Sequence, residues 1–279
     1  MILLSKFIIR DDDAQVMFRP RPQLTPREAE RGMALLGERD YRLLSFLRRH
    51  RFMTRYQAER LFFDSPVQSK RRLKFLDKFR LVNRLAVRCS TYFPPVYMLD
   101  VTGARLVGLR NCWADAQDVN AICKFLQLVE IYIMLSPGIV SYRVRPRFTT
   151  HKGFYVPMAE FDYAGAGGRE RKLVVDILRP GDDLDRKLGH LCALLDEPSS
   201  HFEELPAFVL CCCDERQIRV AARCLYEHAR KIAFTTDDLL YGGDLNEAFL
   251  MWNGGNIEPV PNQGFFLPKK NFREVLTDS

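Results

Sequence analysis

The chain has 279 residues, 47% hydrophobic and 28% charged, which is the composition of a folded protein and excludes a disordered one. Its formal charge of +7 and a pI near 9.0 suit a polyanionic partner but do not by themselves select one. No apolar stretch reaches the ~18 to 20 residues of a membrane helix; the longest, "FLQLVEIYIML", carries Glu130. No membrane partner is therefore expected.

The opening "MILLSKFIIRDDD" interrupts its apolar run with Lys6 and follows it with acids, so no signal peptide is expected; a cytoplasmic location is expected from the unpaired cysteines. Eight cysteines, among them Cys89, Cys112, Cys123, Cys192 and Cys224, form no C-x-x-C pair, and the five histidines complete none, so no zinc is expected. Cys211, Cys212 and Cys213 continue the apolar run "PAFVLCCC" and read as a core strand in a reducing compartment.

Residues 1–37 form an N-terminal extension. In "TPREAERGMALL", Thr25 can cap free amides, Pro26 fits the first helical position and Glu28 reaches back, so a helix starts there. From residue 38, apolar residues recur at helical spacing in three blocks: Leu43, Leu44, Phe46 and Leu47; Tyr56, Ala58, Leu61 and Phe62; Leu73, Leu76 and Phe79. Thr54 opens the second helix, and Ser65 with Pro66 the third. "LVNRLAVRCS" and "FPPVYMLD" then read as two strands around a turn, and "VTGARLVGL" as a helix. Three helices followed by a hairpin is the order of a winged helix-turn-helix, assigned to 38–112.

At about 100° per residue, Lys70, Arg71, Lys74 and Lys78 share one arc of the third helix, opposite Leu73, Leu76, Phe75 and Phe79. Arg72 points nearer the packed side. In a helix-turn-helix this helix enters the major groove, where such cations neutralise phosphates or reach base edges. The bland alternative is a solvated basic face. Arg84 and Arg88 alternate with Leu85 and Val87 along the first hairpin strand, which turns the arginines toward a nucleic-acid backbone or solvent. These six cations are the candidate contacts to double-stranded DNA.

The second part, 118–268, opens with the apolar helix "DVNAICKFLQLVEIYIML" and then alternates strands with helices. The strands are "IVSYRVRPRF", "GFYVPMAEFDYAG", "RKLVVDILR" and "PAFVLCC"; the helices are "DDLDRKLGHLCALLD" and "ERQIRVAARCLYEHAR". This predicts an α/β sandwich on a mixed sheet with "KLVVDIL" and "AFVLCCC" central and parallel, because both are apolar on both faces. Residues 269–279 read as a polar tail.

In this order, "SKRRLKFLDKFRLVNRL", "YMLDVTGARLV", "VPMAEFDYAG", "KLVVDILRPGDDLDRKLGHL", "LPAFVLCCCDERQIRVAARCL" and "IAFTTDDLL" resemble the replication-relaxation family of plasmid and conjugative-element proteins, over about residues 38 to 252. The resemblance implies an N-terminal DNA-binding winged helix and a C-terminal restriction-endonuclease-like domain related to one class of mobilisation relaxase. It further implies an acid after a proline on one strand, a second acid on the next, and a lysine, with Mg²⁺ or Mn²⁺ held between the acids if the site is active. Met158 stands where the first acid is expected, and Asp176 is followed by Leu178 rather than an acid or lysine. Glu160 and Asp162 share the strand face of Met158 and can stand in for it. Lys187 matches the lysine of the following helix, or is a surface cation. Asp182 or Asp183 is expected to cap that helix. The candidate catalytic residues are Glu160, Asp162, Asp176 and Lys187, with Asp162 and Asp176 as metal ligands. Three functions stay open: a DNA-binding protein with a degenerate nuclease-like domain, a metal-dependent nicking enzyme, and a transcriptional regulator. Replication or conjugation proteins and a second copy of the chain are the protein partners considered.

Overall fold

The computed structural model describes residues 15–17, 21, 23–88, 94–110, 118–164, 170–198, 201–202, 206–242 and 248–260. The opening apolar stretch, Pro20, Pro22, Cys89, Cys112 and the tail lie outside them. The chain divides into two compact units, one spanning Ile9–Ile133 and the other beginning at Met134. The long helix that the sequence reading counted with the second half falls in the first unit as far as Ile133.

The first unit runs β1 (Gln15–Met17), α1 (Pro26–Ala34), α2 (Glu38–His50), β2 (Phe52–Thr54), α3 (Arg55–Phe62), α4 (Pro66–Lys78), β3 (Val82–Arg88), β4 (Val96–Leu99), α5 (Val101–Leu106) and α6 (Val119–Leu135). The helix starts follow local chemistry. Thr25 and Glu28 make a capping box, Thr54 and Gln57 make another, and the Ser65 hydroxyl accepts from the Gln68 amide at 3.3 Å. The third helix stops at Lys78, one residue before Phe79.

Two strands were not legible in the sequence because each has only three residues. β2 pairs antiparallel with β4, and β1 pairs antiparallel with β3, giving the order β1-β3-β4-β2. Leu43, Leu44, Leu47, Met53, Leu73, Leu76, Leu81 and Leu99 form a fully buried centre. At about 2–5 kcal/mol for truncating a buried leucine to alanine, any one of these is a large part of a domain's stability. Gly103 is required here: a Cβ at that position would sit 1.9 Å from the Leu81 carbonyl oxygen, so only glycine lets α5 approach the start of β3.

The second unit runs β5 (Ile139–Val144), β6 (Phe148–Thr150), β7 (Gly153–Tyr155), β8 (Ala159–Ala164), β9 (Glu170–Ile177), α7 (Leu184–Asp196), β10 (Ala207–Cys212), α8 (Glu215–Leu225), β11 (Ile232–Thr236), α9 (Asp237–Gly242), β12 (Leu250–Asn253) and β13 (Asn256–Pro259). Seven strands make a mixed sheet in the order β13-β12-β11-β10-β9-β8-β5, with β9, β10 and β11 mutually parallel and the rest antiparallel. The two strands expected to be central and parallel, β9 and β10, are so. Leu188, Leu191 and Leu194 of α7 and Ile218, Ala222 and Leu225 of α8 pack with Val174, Leu210 and Phe234.

Three expected elements are divided. "IVSYRVRPRF" breaks into β5 and β6 where Arg145 takes a left-handed φ of 53° before Pro146. "GFYVPMAEFDYAG" breaks into β7 and β8 around Pro157, which lacks an amide for the ladder. The helix "ERQIRVAARCLYEHAR" ends at Leu225 because Tyr226 turns to φ 48°, and a 3₁₀ segment, Tyr226–Lys231, follows. Among the described residues no helix is long and apolar enough to cross a membrane.

Candidate nucleic-acid interface and acidic cluster

On α4, Lys70, Arg71, Lys74 and Lys78 are exposed, whereas Ser69, Leu73 and Leu76 are buried. Arg72 sits on the packed side as the helical spacing predicts. Its Nε donates to Asp40 Oδ1 at 2.7 Å, its Nη2 donates to Asp40 Oδ2 and to the Leu35 carbonyl, and its guanidinium lies 4.3 Å from the Phe75 ring centroid. One arginine of the run thus fastens α4 to α2, and the other cations are left outward. Arg84 and Arg88 on β3 are exposed, alternating with buried Leu85 and Val87. Lys78 has its ammonium 5.6 Å from the Phe79 ring centroid.

Sequence reasoning missed the clamp beneath this surface. Arg21 donates to Asp77 Oδ1 at 2.6 Å, to Asp100 Oδ2 at 2.7 Å and to the Val82 carbonyl at 3.1 Å. Arg80 also reaches Asp100 Oδ2 at 3.1 Å, and Asp100 accepts from the Val101 amide at the start of α5. Asp100 is buried, and these donors are what let its charge stay there. Arg21 is thus held against the end of α4 and the start of β3. Its only sequence signal is an arginine between two prolines. Elsewhere in this unit, buried Glu130 on α6 accepts from Gln57 at 2.9 Å and Arg60 at 2.7 Å.

In the second unit the candidate carboxylates separate into two groups. Asp162 pairs across the ladder with Lys172, and Glu160 with Val174. Glu160 is buried and bound by Arg143, and Lys172 Nζ lies 3.4 Å from it and 2.9 Å from Asp162. Burial alone would raise the Asp162 pKa. The Ser141 hydroxyl at 2.6 Å, Lys172 and Arg143 outweigh it and hold the carboxyl below its ordinary value.

Asp176 belongs to the other group. Met158 immediately precedes Ala159, whose ladder partner Val175 immediately precedes Asp176, so a thioether and not a second carboxylate lies at the start of β8. Asp176 is buried; it accepts from Lys187 at 2.8 Å, from the Tyr155 hydroxyl at 3.1 Å and from the Ile177 amide at 2.8 Å. Burial first, then the neighbouring Asp176 charge, pushes the Tyr155 phenol well above its ordinary pKa, so it stays a donor. Lys187, expected either in the family role or as a surface cation, is largely buried and also donates to the Ile177 carbonyl at 2.9 Å. Asp183 caps α7 by accepting from the Arg186 amide, while Asp182 accepts from the Arg179 amide.

These residues do not fit a divalent metal. Mg²⁺ needs several oxygen ligands in near-octahedral array. The oxygens of Asp176 are directed to Lys187, Tyr155 and a backbone amide, and those of Glu160 and Asp162 to Arg143, Lys172 and Ser141. Among the described residues, no three His, Cys, Asp or Glu side chains come together as a ligand set.

A further ion pair lies at the carboxyl ends of the parallel strands. Arg179, just after β9, holds Asp237, at the start of α9, through contacts of 2.6 and 3.2 Å, and both side chains are almost fully buried. Burial raises the Asp237 pKa while Arg179 opposes the rise. Cys213 Sγ lies 3.6 Å from the same guanidinium. Cys211, Cys212 and Cys213 are free thiols in the core, and burial pushes the pKa of each up, so all three stay protonated.

No curated protein and no solved structure matches the chain. The family model described as replication-relaxation matches residues 44–123, a stretch that includes all of α3, α4, β3, β4 and α5. The part of the chain similar to the replication-relaxation family is therefore the part that carries Lys70, Arg71, Lys74, Lys78, Arg84 and Arg88.

Proposed function

We propose that the chain is a DNA-binding protein of a plasmid or other mobile element, acting in its replication, transfer or regulation. The observation that carries the reading is the sidedness of α4. Leu73 and Leu76 are buried, Arg72 is fastened to Asp40, and Lys70, Arg71, Lys74 and Lys78 are exposed together. In this reading residues 38–112 form a winged helix-turn-helix: α3 and α4 are its helix pair, β3 and β4 its wing. α4 lies in the major groove of double-stranded DNA, and Arg84 and Arg88 meet the phosphate backbone. The family match over the same residues supports a role in replication of such an element.

The second unit is read as a restriction-endonuclease-like domain that has lost its chemistry and serves to contact DNA, a second copy, or replication or conjugation proteins. Met158, next to the Ala159↔Val175 pair that borders Asp176, supports this, since a thioether in place of a second carboxylate leaves Mg²⁺ or Mn²⁺ poorly held. One observation favours a second reading, a metal-dependent nicking enzyme using Asp162, Asp176 and Lys187: Lys187 does lie against Asp176, at 2.8 Å.

A time course on supercoiled plasmid carrying the element's own intergenic DNA, with Mg²⁺ or Mn²⁺, separates the two. Binding without nicking is expected of the native chain, with no change in Asp176→Ala. Met158→Asp tests whether a restored carboxylate confers cleavage. Site-specific nicking by the native chain that disappears in Asp176→Ala would replace the binding reading with the enzymatic one.

A further inference from the structure

The second unit carries a basic and aromatic surface that neither α4 nor the acidic cluster accounts for. It is formed by the end of edge strand β5 and the β6–β7 hairpin. In the hairpin Phe148 pairs with Tyr155 and Thr149 with Phe154, so alternate side chains point to opposite sides. Phe148 and Tyr155 are buried with Leu188 and Leu191 of α7. The inner side sits close on that helix: a Cβ on Gly153, which has φ 121°, would lie 3.1 Å from the His190 ring.

The outer side is unlike an ordinary solvated hairpin. Phe154 is 49% exposed and Val156 36% exposed, and the Arg147 guanidinium lies 3.3 Å from the Phe154 ring centroid. Arg143, Arg145, Arg147 and Lys152 are all exposed around it. Arg143 is bound to Glu160, and His151 lies 3.6 Å from Glu197. Among the described residues no ion pair engages Arg145, Arg147 or Lys152. Arg145 takes φ 53° and its amide donates to the Met158 carbonyl, which fixes the turn carrying the arginines from the sheet edge into the hairpin.

We infer that this outer hairpin face binds single-stranded nucleic acid, with Arg145, Arg147 and Lys152 on the phosphates and the Arg147–Phe154 stack as a platform for an unpaired base. Exposed cations alone would suit any polyanion. An exposed aromatic ring paired with a guanidinium plane adds a surface for flat π-systems, and a base in a duplex cannot present its face to it. The ligand class is thus a strand with unstacked bases. This surface is independent of the duplex-binding reading of α4.

The test is titration of a labelled oligo-dT of about 15 nucleotides, a length that spans a typical single-strand site, against the full chain. The chain carries Lys70→Ala, Arg71→Ala, Lys74→Ala, Lys78→Ala, Arg84→Ala and Arg88→Ala together, so that the candidate duplex-binding surface does not contribute. An abasic chain of equal length, an oligo-rU and anionic lipid vesicles are the parallel probes. Oligo-dT is expected to bind at least about tenfold tighter than the abasic chain, with that advantage lost in Phe154→Ala and kept in Phe154→Trp. Arg145→Ala with Arg147→Ala is expected to weaken binding and flatten its salt dependence by about 0.7 for each phosphate no longer neutralised. Equal or tighter binding of oligo-rU assigns RNA as the source of the same ligand chemistry. Oligo-dT binding no tighter than the abasic chain, binding unchanged in a folded Phe154→Ala protein, or binding to vesicles alone would overturn the inference.

Discussion

Lys187 Nζ lies 2.8 Å from Asp176 Oδ1, joining the start of α7 to the end of β9 inside the second unit. Asp176 is 2% exposed, so its charge depends on that ammonium, on the Tyr155 hydroxyl and on the Ile177 amide. Lys187→Met should destabilise the unit by about 2 kcal/mol, less than the ~3–5 of a fully buried pair because Lys187 remains partly exposed and two donors stay in place. The double change Asp176→Leu with Lys187→Met should recover part of that loss, since no charge is then left buried alone. Denaturant unfolding of the single and double variants measures both. A single variant as stable as the native chain would show that the pair contributes nothing to folding.

Arg72 and Arg71 are adjacent in sequence but opposite in role. Arg72→Ala removes the hydrogen bonds to Asp40 and the Leu35 carbonyl and should cost about 2–3 kcal/mol, because Asp40 is buried and left without its cation. Arg71→Ala, on the exposed side, should stay within about 0.5 kcal/mol of native. Parallel melts of the two variants check the difference.

His50 gives the first unit a pH dependence of definite sign. It is fully buried, with its ring centroid 3.9 Å from that of Phe46, and burial, then the Arg49 charge, lowers its pKa from 6.5 to about 3. The folded state therefore favours neutral His50. Its contribution is complete above the unfolded pKa of about 6.5 and is lost as pH falls toward the folded value of about 3. Stability should fall by roughly 1 kcal/mol per pH unit across that window. His50→Phe should remove that part of the slope in urea unfolding between about pH 6 and pH 4. An identical slope in the variant would assign the dependence to other groups.

The helices of the first unit were legible because their signals are local: Thr25, Thr54 and Ser65 each precede a helix and each accepts a backbone amide. The sides of α4 were readable down to Arg72, because 3.6-residue periodicity separates neighbours on a straight helix by about 100°. Parallel pairing of β9 with β10 was readable from their two-sided apolarity. The strands β1 and β2 were not, since three residues carry no period. Nor were the ion pairs that join distant segments. Arg21 with Asp100 and Arg179 with Asp237 are long-range pairs, and nothing in the neighbourhood of either arginine names its partner. The same limit applies to Lys187, whose role follows from Asp176 on β9 lying 2.8 Å from it and not from its helix alone.

The outward face of α4, read as the surface that meets duplex DNA, is tested most directly by the salt dependence of binding to duplex from the element's own intergenic regions. The comparison is between the native chain and Lys70→Ala, Arg71→Ala and Lys74→Ala combined. The three side chains are exposed, so the variant should fold with the melting temperature of the native chain. Its affinity should fall, and the slope of log K against log salt should flatten by about 0.9 for each phosphate left without its cation. A folded triple variant with the affinity and slope of the native chain would contradict the assignment of α4 to DNA.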